Sequence, residues 1–148
     1  MAVVERSVLV GYSAERMYGL VDDVEHYPEF LPWCGGVQVE VRNGTLTRAS
    51  IVIAYRGIRQ SFKTENKTQP PELIEIRLVS GPFRQLDGLW RFTPLSEEAC
   101  KIEFRLHYEF ANRILDKLVG PVFKHIADTF LEAFLQRAEQ LYGQGTGT

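Results

Sequence analysis

The chain has 148 residues, enough for one domain that buries roughly two-thirds of the surface its unfolded form exposes. Hydrophobic residues make up 45% of it and charged residues 24%, which excludes a disordered or fibrous protein. The formal net charge of −2 excludes a global attraction to nucleic acid or anionic lipid, although a local basic patch is compatible with it.

The N-terminal segment predicts a strand followed by a helix. Residues 2–10 place charged side chains among valines and a leucine, as in a β-strand. Ser13 is suited to cap a helix, and Glu15 lies in the first turn, where a negative charge is favourable. Apolar residues then follow at helical spacing: Met17, Leu20, Val21 and Val24.

A proline-bounded aromatic run, residues 26–34, follows this helix. It concentrates large apolar side chains, yet Pro28 and Pro32 prevent a long helix or a central strand. At most one helical turn fits, with Pro28 at its first position. Because so short an element cannot form a core by itself, we expect it to cover a core or the entrance to a cavity. The aromatic run is therefore a candidate ligand or partner site.

From Gly36 to Phe110 the hydrophobic pattern has a period of two, which predicts six further strands in meander order. Asn43-Gly44 predicts a tight hairpin because both residues tolerate positive φ. The last strand is the clearest, since apolar residues from Ile102 to Phe110 alternate with charged and polar ones. The other breaks fall at Gly57, Pro70-Pro71, Gly81-Pro82 and Pro94.

A long helix is predicted at the C-terminus, with Asn112 as its cap and Gly143 just past its end. Gly120-Pro121 is expected to kink it or divide it in two. Leu131 and Leu135 lie off the main apolar stripe and are expected to pack on loops or to form a dimer contact. The stripe itself comprises Leu115, Val119, Val122, Phe123, Ile126, Phe130, Phe134 and Leu141.

These elements predict an α+β fold in which a curved antiparallel sheet packs against one long helix. Such an arrangement leaves a cavity between sheet and helix unless large side chains fill it. We expect a single domain over residues 1–143 and a flexible, Gly/Thr-rich tail over residues 144–148.

Residue types that carry catalysis or bind metals are scattered along the chain. The sequence contains no HExxH, GxSxG, Walker or GxGxxG motif. Asp22-Asp23 is interpreted as a solvated turn. Cys34 is interpreted as a small buried hydrophobe, the alternative being a nucleophile with His26 as its base. The three histidines, His26, His107 and His125, are expected to be solvated. We predict no catalytic residue, no metal site and no required cofactor.

The cysteines and the N-terminus bear on the compartment. Cys34 and Cys100 form no CxxC spacing, which favours free thiols in a reducing compartment over a single disulfide. Residues 1–10 lack the features of a secretory or transit peptide, and no apolar stretch approaches the roughly 20 residues of a membrane-spanning helix. We therefore expect a cytoplasmic protein.

Three basic residues cluster around one predicted hairpin: Arg56, Arg59 and Lys63. The simplest interpretation is solubilising charge on a wet sheet face. The alternative is a local patch that contacts the phosphate groups of an RNA-bearing partner. We predict no binding to DNA.

The segment Tyr27–Cys34 resembles the signature of the coenzyme Q-binding and RatA family, within the START-like superfamily also labelled polyketide cyclase/dehydrase. The similarity runs from about residue 3 to residue 142. Further matches lie at Gly81-Pro82-Phe83, residues 86–92, Tyr108-Glu109-Phe110 and residues 133–138. The resemblance implies a helix-grip fold, with a seven-stranded curved antiparallel sheet wrapped around the long C-terminal helix and two short helices between strands 1 and 2.

The resemblance also implies two different functions. Members similar to the mitochondrial proteins bind ubiquinone and related lipids and support respiration without being catalysts. Bacterial members described as ribosome association toxins bind the large ribosomal subunit and hinder subunit joining. The missing transit sequence fits a bacterial member. The cyclase label comes from distant relatives, and no acid–base constellation in this chain supports it.

The primary hypothesis is a non-enzymatic module that holds a ubiquinone-like lipid between sheet and helix, with peripheral membrane contact during ligand exchange. Phe30, Leu31 and Trp33 would form a lid, and a tyrosine hydroxyl would bind the quinone head. The candidate ligand-binding residues are Tyr27, Phe30, Leu31, Trp33, Tyr55, Phe83, Trp90, Phe104, Tyr108, Phe123, Ile126, Phe130 and Phe134. The alternative is a protein that binds the large ribosomal subunit through the basic hairpin.

Overall fold

The computed structural model describes residues 2–143, so the predicted tail lies outside the described residues. The elements in chain order are β1 (Ala2–Val10), α1 (Ala14–Asp22), a 3-10 helix (Val24–Glu29), β2 (Cys34–Arg42), β3 (Leu46–Tyr55), β4 (Ile58–Gln69), β5 (Leu73–Ser80), β6 (Phe83–Ser96), β7 (Ala99–Phe110) and α2 (Arg113–Tyr142). This order matches the elements that the hydrophobic pattern predicts.

The strands form one curved antiparallel sheet in the order β1-β7-β6-β5-β4-β3-β2. Strands β2 to β7 follow one another as a meander, whereas β1 pairs along β7, from Ala2 opposite Tyr108 to Val10 opposite Cys100. Helix α2 packs across one face of the sheet and buries its apolar stripe there. The predicted helix-grip architecture, with two short helices between β1 and β2, is confirmed.

Both predicted helix caps are present. The Ser13 hydroxyl accepts a hydrogen bond from the backbone N–H of Arg16 at 3.2 Å, and Asn112 Oδ1 accepts one from that of Leu115 at 2.9 Å. Each cap satisfies a backbone donor that has no partner inside its own helix.

Helix α2 is a single helix, so the predicted division at Gly120-Pro121 is wrong. Pro121 removes one hydrogen bond to the carbonyl of Lys117. Lys117 and Pro121 are both exposed, so solvent can replace the lost bond and the helix continues.

The aromatic run begins inside the 3-10 helix, and Pro28 occupies its fifth position rather than its first. The turn is closed by bonds that do not involve the proline nitrogen, such as the one from His26 N–H to the Asp23 carbonyl at 3.1 Å. The backbone N–H of Leu31 then donates to the Tyr27 carbonyl at 2.9 Å, which ends the turn without using Pro28.

The hairpin between β2 and β3 forms as predicted, but neither Asn43 nor Gly44 has positive φ. Instead, Asn43 Oδ1 accepts hydrogen bonds from the backbone N–H groups of Thr45 and Leu46 at 3.0 and 2.9 Å. The side chain thus closes the turn in place of the backbone. The tight turn with positive φ is Arg56-Gly57, between β3 and β4.

Strand β6 does not end at Pro94 as predicted but continues to Ser96. Its pairing with β5 stops at Arg91, opposite Leu73, and the Phe92 N–H donates to the Glu72 carbonyl at 2.8 Å. From Thr93 onward, the described residues of β6 pair with β7 alone. A proline is tolerated there because one side of the strand needs no hydrogen-bond donor.

Three leucines of α2 differ from expectation. Leu131 is buried and Leu135 is half-buried against the core, which removes Leu131 as a dimer contact. Leu141, predicted on the apolar stripe, is 49% exposed in the last turn of α2.

Candidate ligand cavity

An aromatic cluster occupies the space between the sheet and α2. Trp90 of β6 lies at its centre, 1% exposed, with its ring centre 4.6 Å from that of Phe104 and 5.4 Å from that of Phe134. Phe130 of α2 contacts Trp90 at 5.8 Å and Trp33 at 6.1 Å. These tilted and edge-to-face contacts are the favourable geometries for aromatic rings. The cluster joins the sheet, the helix and the aromatic run.

Beside this cluster lies a cavity of about 70 Å³. Its walls come from α1, the 3-10 helix, β3 to β7 and α2, and they are almost entirely apolar. The lining residues are Val21, Val24, Tyr27, Trp33, Ile51, Phe62, Thr64, Asn66, Ile74, Ile76, Leu86, Trp90, Phe104, Leu106, Phe123, Ile126, Ala127 and Phe130. The volume is smaller than the roughly 150 Å³ of an engineered cavity that holds benzene, so a quinone ring requires side-chain movement.

One residue marks where such movement is easiest. Among the described aromatic residues that line the cavity, Phe130 alone is half-buried, whereas the others are buried. Part of its side chain already faces solvent, although its ring contacts the buried rings of Trp33 and Trp90. The space beside Phe130 and Trp33 is therefore the entrance that the geometry favours.

The structure brings seven of the predicted ligand-binding residues together on the cavity wall: Tyr27, Trp33, Trp90, Phe104, Phe123, Ile126 and Phe130. Of the predicted lid, Trp33 lines the cavity, but Leu31 is buried away from it and Phe30 lies over α2. The Phe30 ring packs against Phe134 at 5.2 Å and lies 5.1 Å from the Arg137 guanidinium.

The remaining four predicted residues lie outside the cavity wall: Tyr55, Phe83, Tyr108 and Phe134. Phe83 and Tyr108 both pack on Phe123, at 4.9 and 4.7 Å, and support the wall from behind. Tyr55 instead stacks on the exposed His125 of α2, with the two ring centres 5.8 Å apart.

The tyrosine that lines the cavity does not offer its hydroxyl to a ligand. The Tyr27 hydroxyl donates a hydrogen bond to the backbone carbonyl of Val21, which ties the aromatic run to α1. Burial raises the pKa of Tyr27, so its hydroxyl stays protonated. Tyr27 therefore contributes its apolar ring to the cavity wall, while its hydroxyl is already hydrogen-bonded to Val21.

Two polar residues on the wall, Thr64 and Asn66 of β4, were not predicted. The segment 59–68 suggested only a polar strand with Phe62 as its apolar residue. A finer signal is present in the alternation: positions 62, 64, 66 and 68 carry no charge, whereas Lys63, Glu65 and Lys67 do. The uncharged series marks the face that turns inward.

The basic hairpin is partly neutralised. Lys63 Nζ lies 2.6 Å from a Glu40 carboxylate oxygen, and that hydrogen bond lowers the pKa of Glu40. The Arg56 guanidinium lies 5.1 Å from the centre of the Tyr55 ring, and Arg59 is exposed. The three cations therefore do not form a uniform positive patch.

The Cys34–His26 pair is not assembled. His26 Nδ1 lies 2.7 Å from Asp23, whereas the Cys34 thiol is buried and is 3.7 Å from the Gly36 carbonyl. Burial raises the pKa of Cys34, which disfavours the thiolate. Within residues 2–143, no group of three or more His, Cys, Asp or Glu side chains is placed to hold a metal ion.

Comparison with known protein families identifies the chain. Residues 10–135 match the family described as polyketide cyclase/dehydrase and lipid transport. The chain belongs to this family. All the residues that line the cavity lie within the matched segment.

Curated relatives within the family refine this placement. Ribosome association toxin RatA of Pseudomonas aeruginosa is 43% identical over 140 residues, 95% of this chain and 97% of the relative. RatA of Escherichia coli K12 is 45% identical over 143 residues, 96% of this chain and 90% of the relative. A mitochondrial coenzyme Q-binding protein homologue of Xenopus laevis is 28% identical over 142 residues, 93% of this chain and 58% of that protein. The predicted family resemblance is confirmed.

Solved structures agree on the fold. An 18 kDa protein of Caulobacter crescentus matches with a TM-score of 0.73 at 27% identity, covering 97% of this chain and 99% of that one. The Zhui aromatase/cyclase of Streptomyces sp. R1128 matches with a TM-score of 0.77 at 18% identity, covering 94% of each chain. At 18% identity, the similarity to the Zhui aromatase/cyclase is evidence for the fold alone.

Neither helix in the described part of the chain combines the length and the apolar character needed to cross a membrane.

Proposed function

We propose that the protein is a non-enzymatic binder of an apolar ligand, ubiquinone or a related isoprenoid lipid, held between the sheet and α2. The observation that carries this proposal is the apolar cavity beneath the aromatic run, with Trp33, Trp90 and Phe130 on its wall. The mitochondrial relative named for coenzyme Q binding supports the choice of ligand class.

The energetics favour an isoprenoid ligand once the entrance opens. Burial of apolar surface contributes about 25 cal/mol per Å², from which the costs of ordering ligand and side chains are subtracted. Movement of Phe130 costs its ring contacts with Trp90 and Phe104, but less than movement of a fully buried ring, because Phe130 is only half-buried. In this proposal, ligand binding enlarges the cavity of about 70 Å³.

The composition of the wall supports a role in binding rather than in catalysis. Among the described lining residues, Tyr27 is the one with a titratable side chain, and its hydroxyl is bonded to Val21. General acid–base catalysis needs a group whose pKa lies near the operating pH. In addition, the relatives of 43–45% identity are named as toxins rather than as enzymes.

Quinone binding is tested by extraction and by titration. Lipids extracted from the purified protein are analysed by mass spectrometry, and short-chain ubiquinone is titrated against intrinsic fluorescence. Both tryptophans of the chain, Trp33 and Trp90, line the cavity, so a bound quinone quenches the signal.

The variants Trp33→Lys and Phe130→Lys should abolish quinone binding, because each replaces an aromatic ring of the apolar wall by a charged side chain. Leu118→Lys is the matched control, since Leu118 lies on the same helix and is 60% exposed. Circular dichroism checks that each variant is folded. Absence of quinone in the extract together with absence of quenching by added quinone would contradict the proposal.

A second candidate function is association with the large ribosomal subunit, as the names of the 43–45% identical relatives suggest. Sucrose gradients of ribosomes with added protein should then show fewer joined subunits. The double variant Arg56→Glu and Arg59→Glu should cancel the effect, and Lys117→Glu, an exposed cation on α2, is the control. Lys63 is left unchanged because its reversal would place two carboxylates beside each other at Glu40. Unchanged profiles at saturating wild-type protein would eliminate this candidate.

A further inference from the structure

The inward face of β4 differs from the other walls of the cavity because it carries side chains with a hydroxyl and an amide group. Thr64, 5% exposed, and Asn66 both lie on it and both line the cavity. They are two residues apart on one strand, so their side chains project side by side, roughly 7 Å from each other. A single ligand group can therefore reach both.

Asn66 carries an unsatisfied hydrogen-bond acceptor. Its Oδ1 atom is buried and has no hydrogen-bond partner among the described residues. The other buried side-chain atom in this condition, the Tyr18 hydroxyl oxygen, belongs to a residue that does not line the cavity. An unpaired buried acceptor lowers stability, and natural proteins keep such groups mainly where function requires them.

The neighbours of Asn66 in the sheet do not supply the missing donor. Asn66 lies between Thr47 of β3 and Ile76 of β5, and it forms no side-chain hydrogen bond with Thr47. Thr64 lies between Ala49 and Leu78, which have apolar side chains. The unpaired acceptor of this face, Asn66 Oδ1, therefore belongs to a residue that borders the cavity and has no partner among the described residues.

We propose that Asn66 and Thr64 form a hydrogen-bonding subsite for the head group of the ligand, and that this head group carries a hydroxyl that donates to Asn66 Oδ1. The inference rests on the proposed function, because it assumes that the cavity binds a ligand. A phenol or a quinol satisfies the Asn66 acceptor, whereas the oxygens of a quinone only accept. A quinone oxygen can still accept from the Asn66 amide N–H groups or the Thr64 hydroxyl, but it leaves Asn66 Oδ1 unpaired. The subsite thus favours phenolic or reduced head groups over oxidised ones.

Three probes of similar size separate these cases: 4-hexylphenol, which donates and accepts; 4-hexylanisole, which only accepts; and 4-hexyltoluene, which does neither. Titration against the fluorescence of the full chain gives their dissociation constants. Wild-type protein should bind the phenol about tenfold or more tightly than the toluene, and the anisole less tightly than the phenol. Asn66→Leu should remove the preference and keep the toluene affinity within about threefold. Thr64→Val should reduce the preference.

A stability measurement distinguishes a ligand-directed role from a structural one. Asn66→Leu should raise the Tm of the ligand-free protein, because it replaces an unpaired buried acceptor by an apolar group of similar shape. Thr68→Val is the control: Thr68 is buried on the same face, does not line the cavity and donates to the Gly44 carbonyl at 3.4 Å. It should lower the Tm and leave the preference for the phenol intact.

Each alternative outcome has a distinct meaning. If no probe binds to the wild-type protein, the proposed function fails and the subsite fails with it. If the toluene binds as tightly as the phenol, or if Asn66→Leu retains the preference, the subsite is overturned while the apolar cavity stands. If the anisole binds as tightly as the phenol, the requirement for a hydroxyl donor is overturned.

Discussion

Arg137 of α2 places its guanidinium 3.0 Å from the carboxylate of Glu29, at the end of the 3-10 helix. The same guanidinium lies 5.1 Å from the centre of the neighbouring Phe30 ring. The Arg137 side chain is only 18% exposed, whereas its partner Glu29 is 54% exposed, so the pair lies at the edge of the contact between α2 and the aromatic run. One side chain of α2 therefore holds the aromatic run against the helix that closes the cavity.

Replacement of Arg137 should loosen the aromatic run. Arg137→Met keeps much of the apolar stem but removes the ion pair and the ring contact, and should lower the free energy of unfolding by about 1 kcal/mol. Urea denaturation measures the loss. Lys124→Met is the control, because its pair with Asp128 at 2.8 Å has a 71% exposed lysine and should contribute less. Equal losses in the two variants would contradict the role assigned to Arg137.

The aromatic cluster should account for a large share of the stability. Trp90→Ala removes a side chain that contacts rings from the sheet and from α2, and should cost about 3–5 kcal/mol. Leu95→Ala, on the same strand but 55% exposed, should change stability by less than about 0.5 kcal/mol. Chemical denaturation of both variants provides the comparison, and a loss below about 1 kcal/mol for Trp90→Ala would refute the central position of this ring.

His26 should make stability depend on pH near neutrality. The hydrogen bond to Asp23, together with the charges of Asp23 and Glu29, raises the pKa of His26 above its ordinary value of 6.5. The folded protein thus binds the proton more tightly than the unfolded chain. This stabilisation is fully present below pH 6.5 and is lost as the pH rises through the folded-state pKa.

Urea midpoints measured from about pH 5.5 to about pH 9 should therefore fall more for the wild type than for His26→Gln. Both proteins contain His107 and His125, so the difference between the two curves reports the pH dependence that His26 contributes. Parallel curves for the two proteins would show that the His26–Asp23 contact does not persist in solution.

Both cysteines should react slowly in the folded protein. Burial raises the pKa of Cys34 and raises that of Cys100 to about 11, so the thiolate that attacks alkylating reagents is scarce. Mass spectrometry after treatment with iodoacetamide should show little modification in the native state and complete modification in guanidinium chloride. Rapid alkylation of native Cys34 would indicate that the aromatic run opens frequently.

The periodicity of the sequence was sufficient to predict the sheet. Residues such as Ile102 and Phe104 alternate with charged neighbours, and each is buried in the structure as that alternation requires. One buried face imposes a period of two on every strand, and this constraint survives the errors in individual turns. The caps at Ser13 and Asn112 were predictable because a cap depends on residues within three positions of it.

The errors concern positions where a local rule has more than one structural solution. Asn43 can close a turn through positive φ or through its side-chain oxygen, and the structure uses the second. Pro94 can end a strand or lie on an unpaired edge, and its effect depends on where β5 stops. Neither choice is encoded within the few residues that form the motif.

The sequence by itself determined the order of the elements, the face of each strand that turns inward and the family to which the chain belongs. All three depend on short-range patterns along the chain. Only the tertiary structure decided which side chains border the cavity, because a cavity is the volume left after residues from distant elements have packed. That is why Tyr108 lies behind the wall, while Asn66 faces the cavity with an acceptor that no neighbour in the described chain satisfies.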